Sequence, residues 1–175
     1  MDSDTITFSP IGVVRSPFTD PVGMPIQPGG ARGVRGEVAV DPAFAAGLAD
    51  LEEFSRIILL YAFHRSEGYR LRVIPFLDDS EHGVFATRAP RRPNPIGLSI
   101  VRFVGVEGCR LLIEDVDILD GTPLLDIKPY VPSFDAFPDE RTGWFGRTVR
   151  EIPDVRSDDR FIGAGPDGCE ERREV

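Results

Sequence analysis

Lysine is almost missing from this chain. Lys128 is the one lysine among 20 basic residues, so any chemistry that needs a primary amine side chain falls on it. Cysteine and histidine are nearly as scarce. Cys109 and Cys169 stand far apart without metal-ligand spacing, and His64 and His82 are the only histidines. Such a set does not supply a protein-built zinc site, and no metal is expected. Two unpaired thiols fit a reducing, cytoplasmic compartment. No apolar run approaches a membrane span. Met1-Asp2-Ser3-Asp4 is acidic with no apolar core, so no signal peptide is expected. There is no Gly-x-Gly-x-x-Gly turn and no Walker loop. Helical patterns are too few for a doubly wound sheet, and no Ser/His/Asp order outlines a hydrolase elbow. Positive charge is short overall. The net charge of −9 argues against a broad nucleic-acid-binding face, but the charge is uneven and a local basic patch survives.

That patch is the densest stretch of the chain, Thr87-Arg88-Ala89-Pro90-Arg91-Arg92-Pro93-Asn94-Pro95-Ile96-Gly97-Leu98-Ser99. Each proline fixes its own φ and pushes the residue before it towards extended backbone. None donates a backbone N–H, so the stretch is a stiff loop, not a helix or a central strand. A stiff loop loses little entropy on binding. Asn94 offers a donor and an acceptor that match the Watson–Crick edge of an adenine. Arg88, Arg91 and Arg92 offer planar forks for phosphate or carboxylate. Gly97 leaves room for a ligand or another backbone. The same residues also suit a rigid connector with solvated arginines, and pattern alone leaves both readings open.

A second dense stretch runs from Asp120 to Pro132. Asp120-Gly121 followed by Thr122-Pro123 is strong turn chemistry. Asp126 and Lys128 lie two apart in an extended segment, so they share a face and can pair. Asp120, Thr122 and Asp126 are expected to face the same hollow as the proline loop.

Strands are expected over 5–15 (interrupted by Pro10), 36–40, 70–76, 82–87, 98–106 and 111–118. The apolar run 57–63 reads as a strand buried on both faces, and pattern alone leaves a short buried helix open. His64-Arg65 at its end is either a solvated strand end or a site. Residues 17–36 form a Pro/Gly-rich loop whose tightest turn is Gln27-Pro28-Gly29-Gly30, by spacing alone a surface turn. Asp41-Pro42 opens a helix carried by Phe44, Leu48 and Leu51 to about Glu53. Trp144-Phe145 is the one large apolar anchor of 139–150. The expected fold is mainly β, a β-barrel or strongly curved sheet with one or two short covering helices. It occupies 5–150, and a C-terminal extension over 151–175 is expected to be partly disordered.

Four ordered motifs carry a resemblance. They are Pro10-Ile11-Gly12-Val13-Val14-Arg15-Ser16-Pro17, Gly83-Val84-Phe85-Ala86-Thr87-Arg88, Arg92-Pro93-Asn94-Pro95-Ile96-Gly97-Leu98-Ser99, and the run from Asp117 to Tyr130. Together they resemble the TsaA-like (VirR/TrmO-type) family. The resemblance implies a non-Rossmann β-barrel methyltransferase that uses S-adenosylmethionine and forms a homodimer, with the cofactor near the subunit interface. The activity implied is methylation of the exocyclic amine nitrogen of threonylcarbamoyl-adenosine beside the tRNA anticodon. Gln27, Pro28, Gly29, His64, Arg65, Arg88, Leu98, Asp120, Gly121, Thr122 and Pro123 correspond to the family's cofactor wall. Longer bacterial members continue into a further C-terminal domain, so substrate capture is expected to differ here.

On that reading Asn94 orients the target base, and Asp126, or a relay through Tyr130, takes the proton. Arg91, Arg92 and Lys128 hold substrate. Phosphate contacts to tRNA are expected from Arg88, Arg91, Arg92, Arg102, Arg32 and Arg35, doubled in a dimer. Two rivals stay open: the same cofactor with another acceptor, a metabolite or a different RNA, and a non-catalytic ligand-binding barrel.

Overall fold

The structure, a computed structural model, describes residues 5–148 and 154–162. Its strands are β1 (Gly12–Arg15), β2 (Arg35–Val40), β3 (Arg56–Ala62), β4 (Arg72–Val73), β5 (His82–Gly83), β6 (Ile96–Glu107), β7 (Arg110–Glu114) and β8 (Thr122–Pro129). Six of them close into an antiparallel barrel in the order β1-β2-β7-β6-β3-β8, while β4 and β5 pair as a separate ribbon. Two single-turn helices follow, α1 (Pro132–Asp135) and α2 (Phe145–Thr148). Register shifts between Leu60 and Tyr61 and between Phe103 and Gly105 bend β3 and β6. Such bulges sharpen the local twist that closure needs.

Alternation sorts the side chains. β6 buries Gly97, Ser99, Val101 and Phe103, and β3 buries Ile57, Leu59 and Tyr61. These meet Val14, Val38, Leu111, Ile113 and Leu124 in one packed core. The lumen of a barrel this small is filled by its own side chains, so a ligand must sit outside it. The expectation that 57–63 is buried on both faces is corrected here. A barrel strand has one interior face, and Ile58 and Leu60 point outward, half-buried. On the outer wall Ile100 pairs across to Ile58 and on to Lys128, and Leu98 pairs across to Leu60 and on to Asp126.

The helix expected from Asp41 to Glu53 is two 3-10 segments, Pro42–Leu48 and Leu51–Glu53. The cap is as read: the Asp41 side chain accepts from Ala43 N at 2.8 Å. Asp50 breaks the run at φ 67, and only Leu48 and Leu51 reach the core while Phe44 stays exposed. Two anchors are too few to hold a continuous helix by tertiary packing. Several strands are shorter than read. β1 begins after Pro10, which has no N–H for a ladder. β7 stops at Glu114 because Asp115 turns the chain at φ 65, where its carboxylate accepts from Gly33 N at 3.0 Å and pairs with Arg56 at 2.8 Å. The 70–76 segment retains only β4, and 82–87 retains only β5 before a 3-10 turn over Val84–Ala86.

Trp144 stacks on His82, with centroids 4.6 Å apart, and donates from Nε1 to Ala86 O. Residues 154–162 return along the 21–25 loop. Arg156 bridges Pro25, and the Ser157 hydroxyl donates to Pro21 O at 2.6 Å. The polar stretch expected from 163 onward, with Cys169, lies outside the described residues.

Candidate functional site

Antiparallel pairing brings three element ends to one rim. Ala62 at the end of β3 sits opposite Ile96 at the start of β6, and Tyr61 sits opposite Leu124 near the start of β8. The chain leaving β3 is pinned on both sides. Phe63 N donates to Pro95 O at 2.8 Å, and His64 Nδ1 lies 3.4 Å from Thr122 Oγ1. His64 therefore stands between the proline loop and the Asp120–Thr122 bend.

The bend is shaped by local chemistry. Gly121 adopts φ +76 with open space where a Cβ would be, a conformation glycine takes at no steric cost. Asp120 Oδ1 accepts from Ser16 N at 3.1 Å, and Oδ2 lies 3.6 Å from Arg15 Nη1. The Thr122 hydroxyl donates to Leu119 O at 2.7 Å. Its oxygen is then the acceptor towards His64 Nδ1–H, which leaves Nε2 as an acceptor facing outward. Burial lowers the His64 pKa from its ordinary value, neighbouring Arg65 lowers it further, and a hydrogen bond with Ala62 opposes both. These influences together favour the neutral imidazole. Arg65 is exposed and makes no ion pair among the described residues.

On the other flank, Arg88 Nη1 donates to Gln27 Oε1 at 2.6 Å and so ties the Pro28–Gly30 turn, with Gly29 exposed at its centre, to the proline loop. Behind Arg88 lies a chain that sequence reasoning missed. Tyr61 OH is 3.1 Å from Ser99 Oγ, which donates to Asp117 Oδ1 at 2.7 Å. Burial pushes the Asp117 carboxyl up to about 6, against the pull of the Ser99 hydrogen bond and of Arg88. Burial, aided by the Asp117 charge, also raises the Tyr61 phenol above its ordinary range. A signal was present: Ser99 has inward parity on β6, and a hydroxyl on a core face demands a partner. Gly97 admits the ring of Tyr61, where a Cβ would collide.

The remaining sequence-derived residues are spread out. Asn94 is exposed, and its side chain makes no hydrogen bond among the described residues. Leu98 is 43% exposed on the outer wall. Asp126, two strands away from it, is roughly 10 Å distant. Asp126 pairs with Lys128 at 2.6 Å and accepts from Ile127 N. Pro123 is half-buried opposite Val13. Tyr130 lies past the far end of β8, where its N–H donates to Arg56 O. Four residues of strand span about 13 Å, so Asn94, Asp126 and Tyr130 are strung along the wall and do not meet within one subunit. Arg92 braces the proline loop by donating to Thr87 O and Ala89 O. Arg91 is 4% exposed and lines a separate cavity. Arg102 and Arg35 both pair with Glu114, away from the rim, and Arg32 is exposed. Among the described residues no group of three or more His, Cys, Asp or Glu is placed to hold a metal ion. No helix there is long and apolar enough to cross a membrane.

The packed barrel leaves its rim of loops, and not its lumen, as the place open to a ligand. The chain belongs to the family described as the tRNA-methyltransferase O N-terminal domain, whose model matches residues 13–136. It is 54% identical over 157 residues to a probable S-adenosyl-L-methionine-binding protein of Pyrococcus abyssi, covering 90% of this chain and 85% of that protein. It is 38% identical over 142 residues to the tRNA (adenine(37)-N6)-methyltransferase of Escherichia coli, covering 75% of this chain and 60% of that enzyme. The crystal structure of TrmO from Pseudomonas aeruginosa superposes with a TM-score of 0.68 at 43% identity, over 81% of this chain and 63% of that one. The chain thus spans less than two thirds of the latter two.

Proposed function

We propose that this chain is an S-adenosylmethionine-dependent methyltransferase that acts on adenine N6 in tRNA, with threonylcarbamoyl-adenosine beside the anticodon as acceptor. The names of the Pyrococcus and Escherichia relatives support the cofactor and the substrate class. The observation that carries the reading is the position of His64, bonded to the bend at Thr122 and joined through Phe63 to the proline loop at Pro95.

The residues present fit the cofactor. Open space at Gly121 lets a ligand approach backbone. Arg65, exposed and unpaired among the described residues, suits its carboxylate, Asp120 suits its ribose or ammonium, and Leu98 offers an apolar face. When bound, S-adenosylmethionine supplies a methyl group on a sulfonium, already activated for transfer. The protein's work is then to orient the acceptor and exclude water. Asn94 reads the base edge with its free amide. Asp126 lies apart from Asn94 within one subunit, so it accepts the proton from the target nitrogen across the homodimer, where one copy's Asp126 meets the other copy's Asn94.

The protein works in the cytoplasm as a homodimer. The outer rows Ile100–Ile58 and Leu98–Leu60 form the apolar strip that a second copy covers. The deciding experiment mixes purified protein, labelled cofactor and total tRNA from a strain lacking this activity. The expected result is a one-methyl mass gain on threonylcarbamoyl-adenosine, with release of the demethylated cofactor. Binding without turnover, or a mass gain on a different nucleoside, overturns the proposal.

A further inference from the structure

Beside the proline loop, a cavity of about 390 Å³ is lined by Arg70, Arg91 and Arg160, with Asp79, Val73 and Phe161 among the other walls. Its cations are unevenly answered. Arg160 is locked in place: Nε and Nη2 bond Asp158, Nη1 donates to Pro75 O at 2.7 Å, and the guanidinium lies 5.0 Å above the Phe76 ring. Arg91 is the opposite case. It is 4% exposed, its Nε is buried without a hydrogen-bond partner, and its guanidinium makes no ion pair among the described residues. Arg70, bound to Arg91 only through backbone (Arg70 N to Arg91 O, 3.3 Å), likewise leaves its side chain unpaired there. Asp79 is the single acid on the wall and bonds neither of them.

A buried guanidinium without a counter-charge is costly. Asp158 answers Arg160, which leaves two arginines facing one carboxylate across a hollow. An anion bridging Arg70 and Arg91 supplies the missing partner, and two guanidinium forks match the oxygens of a phosphate. The volume lies near the lower end of ligand pockets, about 300–1,000 Å³, with room for more than a bare phosphate. Val73 and Phe161 give the attached group an apolar wall.

We propose that the Arg70–Arg91–Arg160 cavity is a phosphate-binding site that takes the phosphate of a nucleotide unit. Arg91 lies three residues before Asn94 on the same stiff loop, so the loop presents its amide to one side and grips phosphate on the other. The phosphate comes either from an RNA backbone or from a free nucleotide. Only the first source rests on the tRNA reading; the site itself does not.

The test follows the arginine Nε–H resonances of nitrogen-labelled full-length protein while inorganic phosphate replaces chloride at constant ionic strength. The Arg91 Nε–H signal is expected to move saturably. Arg70→Gln, at an exposed position that does not threaten folding, is expected to weaken phosphate binding at least tenfold. Arg91→Gln is expected to abolish it. An Arg91 signal indifferent to phosphate, or wild-type phosphate affinity in Arg70→Gln, overturns the site. The salt dependence of tRNA binding identifies the source. If Arg70→Gln lowers the slope of log K against log salt by about 1, the phosphate belongs to RNA. An unchanged slope alongside lost phosphate binding assigns a free nucleotide. Phosphate binding in a protein that never methylates tRNA would sink the proposed activity and leave this site standing.

Discussion

Ser99 Oγ donates to Asp117 Oδ1 at 2.7 Å from a strand whose inner face is otherwise apolar. Ser99 has one proton to give, so the Tyr61 hydroxyl is the donor in its 3.1 Å contact with Ser99. The chain of three oxygens therefore has a direction, from phenol to carboxyl, and ends next to Arg88 on the site wall.

The burial of Asp117 at the end of that chain makes stability depend on pH. Burial raises the folded Asp117 pKa from 3.8 to about 6. The folded state then holds the proton more tightly than the unfolded chain. This stabilisation is intact below the unfolded value and is lost as pH rises through about 6. Asp117→Asn removes the titration and keeps an acceptor for Ser99. Urea unfolding from about pH 4 to about pH 7 is expected to show the wild type losing on the order of 2 kcal/mol relative to the variant. Parallel curves refute it.

Gly97→Ala tests how closely the neighbouring strand approaches. The new methyl meets the Tyr61 ring, which is packed and cannot yield freely. A loss of about 2 kcal/mol or more is expected, with a change in the near-UV signal of tyrosine as the ring is displaced. Wild-type stability would show that the ring has room to move.

Arg65 disfavours the charged form of His64. In Arg65→Ala the proton-NMR midpoint of His64 is expected to rise. A fall, or no movement, removes the electrostatic link.

Asn94→Ala and Asp126→Asn both alter groups on the outside of the fold. Melting temperature is expected to be unchanged in each. Turnover on tRNA is expected to fall about 100-fold or more, with cofactor affinity retained. Wild-type turnover from either variant deletes that residue's role.

Ile58→Arg places charge on the outer apolar strip without touching the rim. Light scattering is expected to show a dimer for the wild type and a monomer for the variant. A wild-type monomer ends the homodimer proposal.

The long strands were legible because their signals were strong and concordant. β6 alternates from Ile96 to Phe103, and β8 follows a turn whose Asp-Gly and Thr-Pro pairs announce it. The helix over 41–53 misled because its cap and its alanines describe local preference, whereas Asp50 and the exposed Phe44 record what the core accepts. Residue chemistry and motif point to one hollow for the proline loop and the acid-bearing bend; each bonds the 63–64 segment between them, while Asp126 lies apart on the outer wall. The bridging role of His64 depends on strand ends that come together only when the sheet closes. The Tyr61–Ser99–Asp117 chain was hidden because it joins three segments and needs the inner face to be known. The pairing of Arg102 and Arg35 with Glu114 was equally invisible: one acid on a neighbouring strand removes two cations from the pool open to RNA.

A barrel filled solid by its own residues separates folding from acceptor choice. Substitution at the exposed positions of the 88–95 loop, Arg88, Pro93 and Asn94, leaves the close-packed interior undisturbed, whereas Ala89, Arg91 and Thr122 are buried. Exchanging those exposed positions between relatives should carry acceptor preference with them, leaving the thermal midpoint of the host largely in place.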